Sequence, residues 1–446
     1  MVSSHGKRKL GKRLAWLFGC GSASAILLWT LVHSTSWAGP LVASTLRAVV
    51  GTDNVAKLED FVYGIEDKVN VWRRSGEKPK AHWAVPAKTK PVALPPQKNE
   101  GVSWPVFEPK DVGPVHKSWS APGDGTWIAV DDTRHPGSNT AVYKTLVHPD
   151  EHRSWAELFV VAIDLEQINL HAAAGTREPI AENYAAKTLP RSGKVPDEHM
   201  ESLLAAFNGG FMAEHGHYGM YVNGTLLIKP RETSCTVVGY QDGTVEVATW
   251  KNVASAQDRM TWFRQTPACM YENDVMHLGL RHPETRLWGA TLDGDTVIRR
   301  SAIGLDESRR ILYVGISNHT TARALAEGMH HAGAVDIAQL DVNWSYPKFL
   351  IYGPGKERGV AASAFMEGFE YTSGDYVTKS SLRDFFYLTR RRAPRTIAKL
   401  HESEGSKAEP TPATSAKISA VTPAEGAAPT PKPLDGSGSP CPNCPK

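Results

Sequence analysis

Short apolar runs broken by glycine-containing turns fill the middle of the chain, and they predict strands. Leu158-Phe-Val-Val-Ala-Ile163 reads as a buried strand, with Ile168 to Ala172 as the next. Leu203 to Phe207 drives into the corner Asn208-Gly-Gly-Phe211, and Gly219 to Gly224 comes after it as a short strand and tight turn. Three hairpins carry turn chemistry: Asn223-Gly224 between Met220 and Ile228, Asp242-Gly243 between Thr236 and Val247, and Asp293-Gly294 between Leu287 and Ile298. Further on, Ile311 to Ile316 reads as a strand. Thr320 or Thr321 can cap a helix whose Ala322, Leu325, Ala326 and Met329 share one face, and Gly333 ends it before a strand from Val335 to Leu340. Such a strand–helix–strand unit runs its strands parallel. It delivers Asp341 at a strand's C-terminal end, where α/β sheets place ligand groups. The expected fold is α+β: a mixed, strand-rich single globular domain, preceded by an N-terminal membrane helix.

Outside this domain the pattern changes. Lys7, Arg8, Lys9, Lys12 and Arg13 precede an apolar run from Leu14 to Val32, long enough to span a bilayer. The basic flank predicts a cytoplasmic N-terminus and export of the chain beyond Val32. The run's length suits a retained anchor; Ser36-Trp37-Ala38 offers the alternative of a signal-peptidase site. Val55, Leu58, Val62, Ile65, Val69 and Trp72 then form a heptad-like seam, with Thr52 or Asp53 to cap the helix. That seam predicts packing on the main domain or a membrane surface, with self-association through residues 52–74 as an alternative. Pro79, Pro86, Pro91, Pro95 and Pro96 mark an extended spacer. The divisions are therefore 1–38 (anchor or signal), 39–74 (amphipathic helix), 75–101 (spacer), 102–389 (globular domain) and 390–446 (a Pro-, Ala-, Ser- and Thr-rich tail expected to be disordered).

Charge and cysteine content refine this picture. Lys and Arg total 50 against 47 for Asp and Glu, a net charge of +3 over 446 residues. That balance does not predict a nucleic-acid partner. Export permits disulfides, and the preferred pairing is Cys235 with Cys269 and Cys441 with Cys444. The terminal Cys441-Pro-Asn-Cys444 lacks a second pair to complete a zinc site. No P-loop, complete dinucleotide fingerprint or Gly-x-Ser-x-Gly elbow is present, so no cofactor and no resident metal are expected.

Three boxes in order resemble the phosphodiester glycosidase family. Asn208-Gly-Gly-Phe211, with Gly219 and the turn Asn223-Gly224 after it, resembles its Asn-Gly-Gly-Phe/Tyr-Phe box. Arg300-Ser-Ala-Ile-Gly304 resembles Arg-Thr-Ala-Ile-Gly. Leu340-Asp341-Val-Asn-Trp-Ser345 stands where the family has Leu-Asp-Gly-Gly-Gly-Ser. The resemblance spans roughly Leu158 to Phe365. It implies cleavage of a sugar–phosphate diester at the anomeric carbon, with a glycan or sugar phosphate as substrate. Val342, Asn343 and Trp344 replace three glycines, which adds bulk beside Asp341 and raises the alternative of a non-catalytic, glycan-binding or envelope scaffold protein.

That chemistry needs a carboxylate to attack carbon or activate water, a group to stabilise the leaving phosphate, and polar groups for the sugar. The candidate catalytic residues are Asp341 as carboxylate, Arg300 as a bidentate phosphate partner and Asn208. Gly209, Gly210, Phe211, Gly219, Asn343, Trp344 and Ser345 are candidate substrate contacts. Glu214 and His217, with His215 between them, are candidates for acid or base. The His-x-His spacing would suit a metal in a strand; exposed loop histidines are the simpler reading.

Overall fold

A computed structural model describes residues 49, 51–85, 107–281, 287–288, 296–342 and 346–391. These belong to one compact unit, Met1–Arg395. After a helix at Thr52–Arg73 come β1 (Ile128–Ala129), β2 (Val142–Val147), β3 (Leu158–Asp164), β4 (Ile168–Ala173), β5 (Leu203–Asn208), β6 (Met220–Val222), β7 (Thr225–Ile228), β8 (Cys235–Tyr240) and β9 (Val245–Thr249). The chain continues through β10 (Met260–Thr266), β11 (Tyr271–Glu272), β12 (Val275–Met276), β13 (Ile298–Leu305) and β14 (Ile311–Thr320). A helix at Ala322–His331 precedes β15 (Asp336–Gln339), β16 (Phe349–Pro354), β17 (Val360–Ala364) and β18 (Phe385–Arg390).

The strands form three sheets. One runs β1-β2-β3-β14-β13-β15-β11-β12, a second β7-β6-β10-β8-β9, and a third β17-β16-β5-β18-β4. All seven residues of β3 are buried, because the eight-stranded sheet is covered on both faces. Phe159, Val161 and Ile163 face a core shared with Leu204, Phe207, Val237, Trp262 and Phe386 of the other two sheets. Leu158, Val160 and Ala162 point the other way, toward Leu325, Ala326 and Met329 of the helix. A strand alternates its side chains between faces, so a continuous apolar run is what two-sided burial demands.

The strand–helix–strand unit is present. Thr321 caps the helix, its hydroxyl accepting from the Ala324 N–H at 3.0 Å, and Gly333 lies just past its end with φ +117°. β14 and β15 are both antiparallel to β13, which lies between them, so they are parallel to each other without being neighbours. Two of the three expected hairpins form: β6 with β7 and β8 with β9. In the first, Asn223 and Gly224 both adopt positive φ, 52° and 73°, as a primed turn requires. The Asp293-Gly294 turn lies outside the described residues, as do the Leu14–Val32 run, Cys441, Cys444 and most of the spacer and tail. No helix among the described residues is long and apolar enough to cross a membrane. Cys235 and Cys269 are disulfide-bonded.

The Thr52–Arg73 helix differs from expectation in two ways. Its N-cap is Gly51, without a side-chain capping bond. Its apolar seam does not pack inward as a whole. Val55 is buried and Val62 half-buried, but Leu58, Ile65, Val69 and Trp72 are exposed, as is Phe61 outside the seam. Asp67 sets the rotation: its carboxylate takes both arms of the Arg153 fork at 2.7 Å each. Asp67 lies two positions from Ile65 and from Val69, about 200° around the helix, so pinning it to the domain turns that stripe outward.

Candidate functional site

Residues carried by all three sheets converge on one cluster. β5 ends at Asn208, which is fully buried. Its amide Nδ2 donates to Ser301 Oγ of β13 at 2.8 Å, and Ser301 Oγ donates to the Asp341 carbonyl at 3.0 Å. Asn208 Oδ1 accepts from the Lys348 N–H at 3.2 Å, and the Asp341 N–H donates to the Gly209 carbonyl at 3.1 Å. The Asn208-Gly209 corner and the Asp341 main chain are thus joined by a backbone bond from Gly209 and a hydroxyl bridge from Asn208. These are the first and last of the three boxes, and Ser301 supplies the middle one.

The two glycines of the corner answer to a buried ion pair. Asp384, just before β18, takes the Gly210 N–H at 2.9 Å and Arg264 Nε of β10 at 2.8 Å on the same carboxylate oxygen. A Cβ on Gly209 would lie 2.2 Å from that oxygen, and one on Gly210 would lie 2.9 Å from the Arg264 guanidinium carbon. The close approach that glycine permits here is filled by protein. Arg264 also donates to the carbonyls of Phe211, Tyr218 and Gln265, so its fork is fully engaged. Phe211 is buried and lies near Tyr218, with ring centroids 5.9 Å apart. The Gly219 N–H donates to Gln265 Oε1 at 3.1 Å, bracing the entry to β6.

Asp341 is the centre of the polar group. Val342 N–H donates to its Oδ1 at 2.8 Å, and Arg383 Nη1 donates to its Oδ2. Arg383 lies over the Tyr346 ring, 4.5 Å from the centroid, and its Nη2 meets the Met212 sulfur at 2.9 Å. Tyr346 donates its hydroxyl proton to the Asp384 carbonyl. Burial pushes the Asp341 carboxyl up to about 6, despite the opposing pull of Arg383 and the Val342 N–H, with Asp384 adding to the rise. Burial works against the Arg383 charge, yet Asp341, Tyr346, Asp384 and Glu178 outweigh it and hold the guanidinium above its usual value. Burial also raises Tyr346 well above the usual phenol range, so it remains a donor.

The other sequence candidates are placed differently. Arg300 is fully buried and turned away from this group: its guanidinium donates to the carbonyls of Thr320, Trp288 and Thr296 and to Gln339 Oε1, at 2.8–3.2 Å. Adjacent residues of a strand face opposite ways, which is why Ser301 reaches Asp341 and Arg300 does not. Glu214 and His215 lie on a single helical turn, Ala213–His215, and His217 lies just beyond it with φ 48°. Glu214 and His217 are exposed and no strand carries the His-x-His. Among the described residues no group of three or more His, Cys, Asp or Glu is arranged to hold a metal. Asn343, Trp344 and Ser345 lie outside the described residues. A concavity of about 620 Å³ exists elsewhere, lined by Tyr271, Asp274, Val275, Met276, Arg281, Arg323 and His330, none of them part of this cluster.

Sequence reasoning missed Arg264, Arg383, Asp384 and Tyr346. Two signals were available. Arg264 follows the apolar pair Trp262-Phe263 directly within a strand, and a buried arginine requires a partner. Arg383-Asp384 stands directly before the apolar run Phe385 to Leu388, where a charged pair is carried to the edge of the core.

No family model matches the chain, and no curated protein matches it. Among solved structures, the chain is similar to the zebrafish N-acetylglucosamine-1-phosphodiester alpha-N-acetylglucosaminidase catalytic domain auto-inhibited by its pro-peptide. Identity is 12%, with 60% of this chain and 89% of that chain covered, at a TM-score of 0.38. It is also similar to a hypothetical protein from Synechocystis, at 10% identity, covering 56% of this chain and 62% of that one, with a TM-score of 0.28. At these values both are weak structural similarities, and neither bears on the chemistry of the cluster.

Proposed function

We propose that this chain is an exported, membrane-held hydrolase of the phosphodiester glycosidase type, which cleaves a sugar–phosphate diester at the anomeric carbon. The observation that carries the reading is the joining of the Asn-Gly-Gly corner to Asp341 through Gly209 and Ser301. Residues 133 positions apart in sequence, Asn208 and Asp341, are the ones the motif resemblance pairs.

In this reading the Asp341 carboxylate accepts a proton from water as the water oxygen bonds to the anomeric carbon. The bond from that carbon to the bridging phosphate oxygen breaks, and its electron pair stays on the departing phosphate monoester. The products are the free sugar and the monoester. A carboxyl whose proton affinity is raised toward neutrality suits a proton acceptor. Asn208 keeps the corner rigid.

A second reading, glycan binding without turnover, is favoured by the ion pair that neutralises Asp341 and by Val342 in place of glycine. Release of phosphate monoester from a panel of sugar-1-phosphodiesters separates the two. The hydrolase reading expects turnover by the wild-type chain and a loss of about 10²–10⁴-fold in Asp341→Asn with the fold intact. Saturable sugar binding with no release across the panel would establish the binding protein instead. Membrane attachment through Leu14–Val32 is read from the mature N-terminus, since a start at Gly39 would show that the segment is removed.

A further inference from the structure

The guanidinium groups of Arg264, Arg300 and Arg383 belong to the boxes or touch the residues around them. Arg264 and Arg300 are both fully buried, and backbone carbonyls and side-chain oxygens occupy their forks. Arg383 is different. Its side chain is 24% exposed while that of its partner Asp341 is 3% exposed. The part of the pair that solvent reaches is therefore on the Arg383 side. One arm of the fork holds Asp341, and the other faces the Met212 thioether, a weak acceptor. The plane of the guanidinium is supported by the Tyr346 ring.

We propose that the Arg383–Asp341 pair is an anion-operated proton latch: a phosphodiester oxygen takes the Arg383 fork, and Asp341, released from it, takes up a proton. The identity of the anion rests on the hydrolase reading above; the latch itself rests on this geometry. Carboxylate and phosphate oxygens compete for the same planar donors, and a guanidinium makes bidentate bonds to either. Asp341 stays close to Asp384, whose negative charge favours its protonation, while Arg264 opposes it from β10. Arg264 is bound to Asp384 and does not substitute for Arg383. Tyr346 and Glu178 act on Arg383 and do not take its place on Asp341. With a non-reacting anion the proton comes from solvent. The same uptake accompanies a reacting diester, and the fraction of Asp341 that stays ionised after the anion binds is the stronger base toward the attacking water.

Dimethyl phosphate is a suitable probe: it carries the single charge of a diester and does not titrate near neutrality. Calorimetric titration of the full chain at pH 7, in two buffers of different ionisation enthalpy, reads both affinity and proton uptake. The wild-type protein is expected to bind the anion and to take up a fraction of one proton. Arg383→Gln is expected to weaken binding by roughly 10- to 100-fold. Asp341→Asn is expected to bind more tightly, because the competing carboxylate is gone, and to lose the proton uptake. Absence of saturable binding to the wild type, uptake that survives in Asp341→Asn, or unchanged affinity in Arg383→Gln overturns the latch. If Arg383→Gln does not fold, the Asp341→Asn titration decides alone. Turnover of sugar-1-phosphodiesters without proton-linked binding removes the latch and leaves the hydrolase reading. Proton-linked binding without turnover does the reverse.

Discussion

Asp341 has two oxygens, two donors and a third neighbour of its own sign. Val342 N–H and Arg383 favour the charged form, while burial and Asp384 oppose it, and the result is a carboxyl that titrates at about 6 instead of 3.8. This has a consequence for stability. Below about pH 4 both the native and unfolded chains carry the proton, and the group contributes no difference. As pH rises from about 4 to about 6, the unfolded chain releases its proton while the native chain retains it, so stability falls. Above pH 6 the full cost remains. A shift of this size corresponds to about 3 kcal/mol. Denaturant melts of Asp341→Asn and wild type should therefore diverge by about that amount, in favour of the variant, between pH 4 and pH 7. A constant difference across the range would show that Asp341 titrates normally.

At the scale of elements, the Thr52–Arg73 helix shows how one charge pair can overrule an apolar pattern. Its seam is legible in the sequence, yet the face that meets the domain is the one bearing Asp67. The groove between them is lined by Tyr63, Glu66, Asp67 and Asn70 on one side and Trp155, Val297 and His319 on the other. A two-bond charged fork of this kind, only 17% exposed on either side, contributes about 1.5–3 kcal/mol. Asp67→Ala should leave the melting of the domain nearly unchanged and raise amide exchange in residues 54–73 by roughly 10-fold or more. Equal exchange in the variant would show that other contacts hold the helix. The Ala322–His331 helix is the opposite case. Pattern, cap and terminating glycine agree, and its four apolar positions are all buried. Local and tertiary preferences coincide there, so the sequence sufficed.

At the scale of the whole molecule, the Arg264–Asp384 pair ties the sheets together. Arg264 lies in β10 of the second sheet. Asp384 leads into β18 of the third and accepts from Gly210 beside Asp341, which stands just past β15 of the first. Both side chains are at most 2% exposed. Removing one member strands a buried charge and costs about 3–5 kcal/mol. Arg264→Met alone is expected to lower stability by that amount, and Arg264→Met with Asp384→Asn to recover a large part of it. Additive losses in equilibrium unfolding would mean that the two residues act independently.

Short strands, two of the three hairpins, the capped helix and the place of Asp341 beyond a strand end were determined by the sequence alone, whereas the Cys235–Cys269 pairing was a preference that the tertiary structure decided. Each of the former depends on periodicity or turn chemistry that acts within a few residues. Asn208 and Asp341 were legible as candidates because their boxes stand in a recognisable order. The tertiary structure decided which charges meet. It turned Arg300 into the packing of its own sheet and brought Arg383 to Asp341 from 42 residues away. It also filled the Asn208-Gly-Gly corner with Asp384 and Arg264. Those outcomes depend on which face of a strand points inward and which distant strand lies beside it, and one-dimensional spacing carries neither.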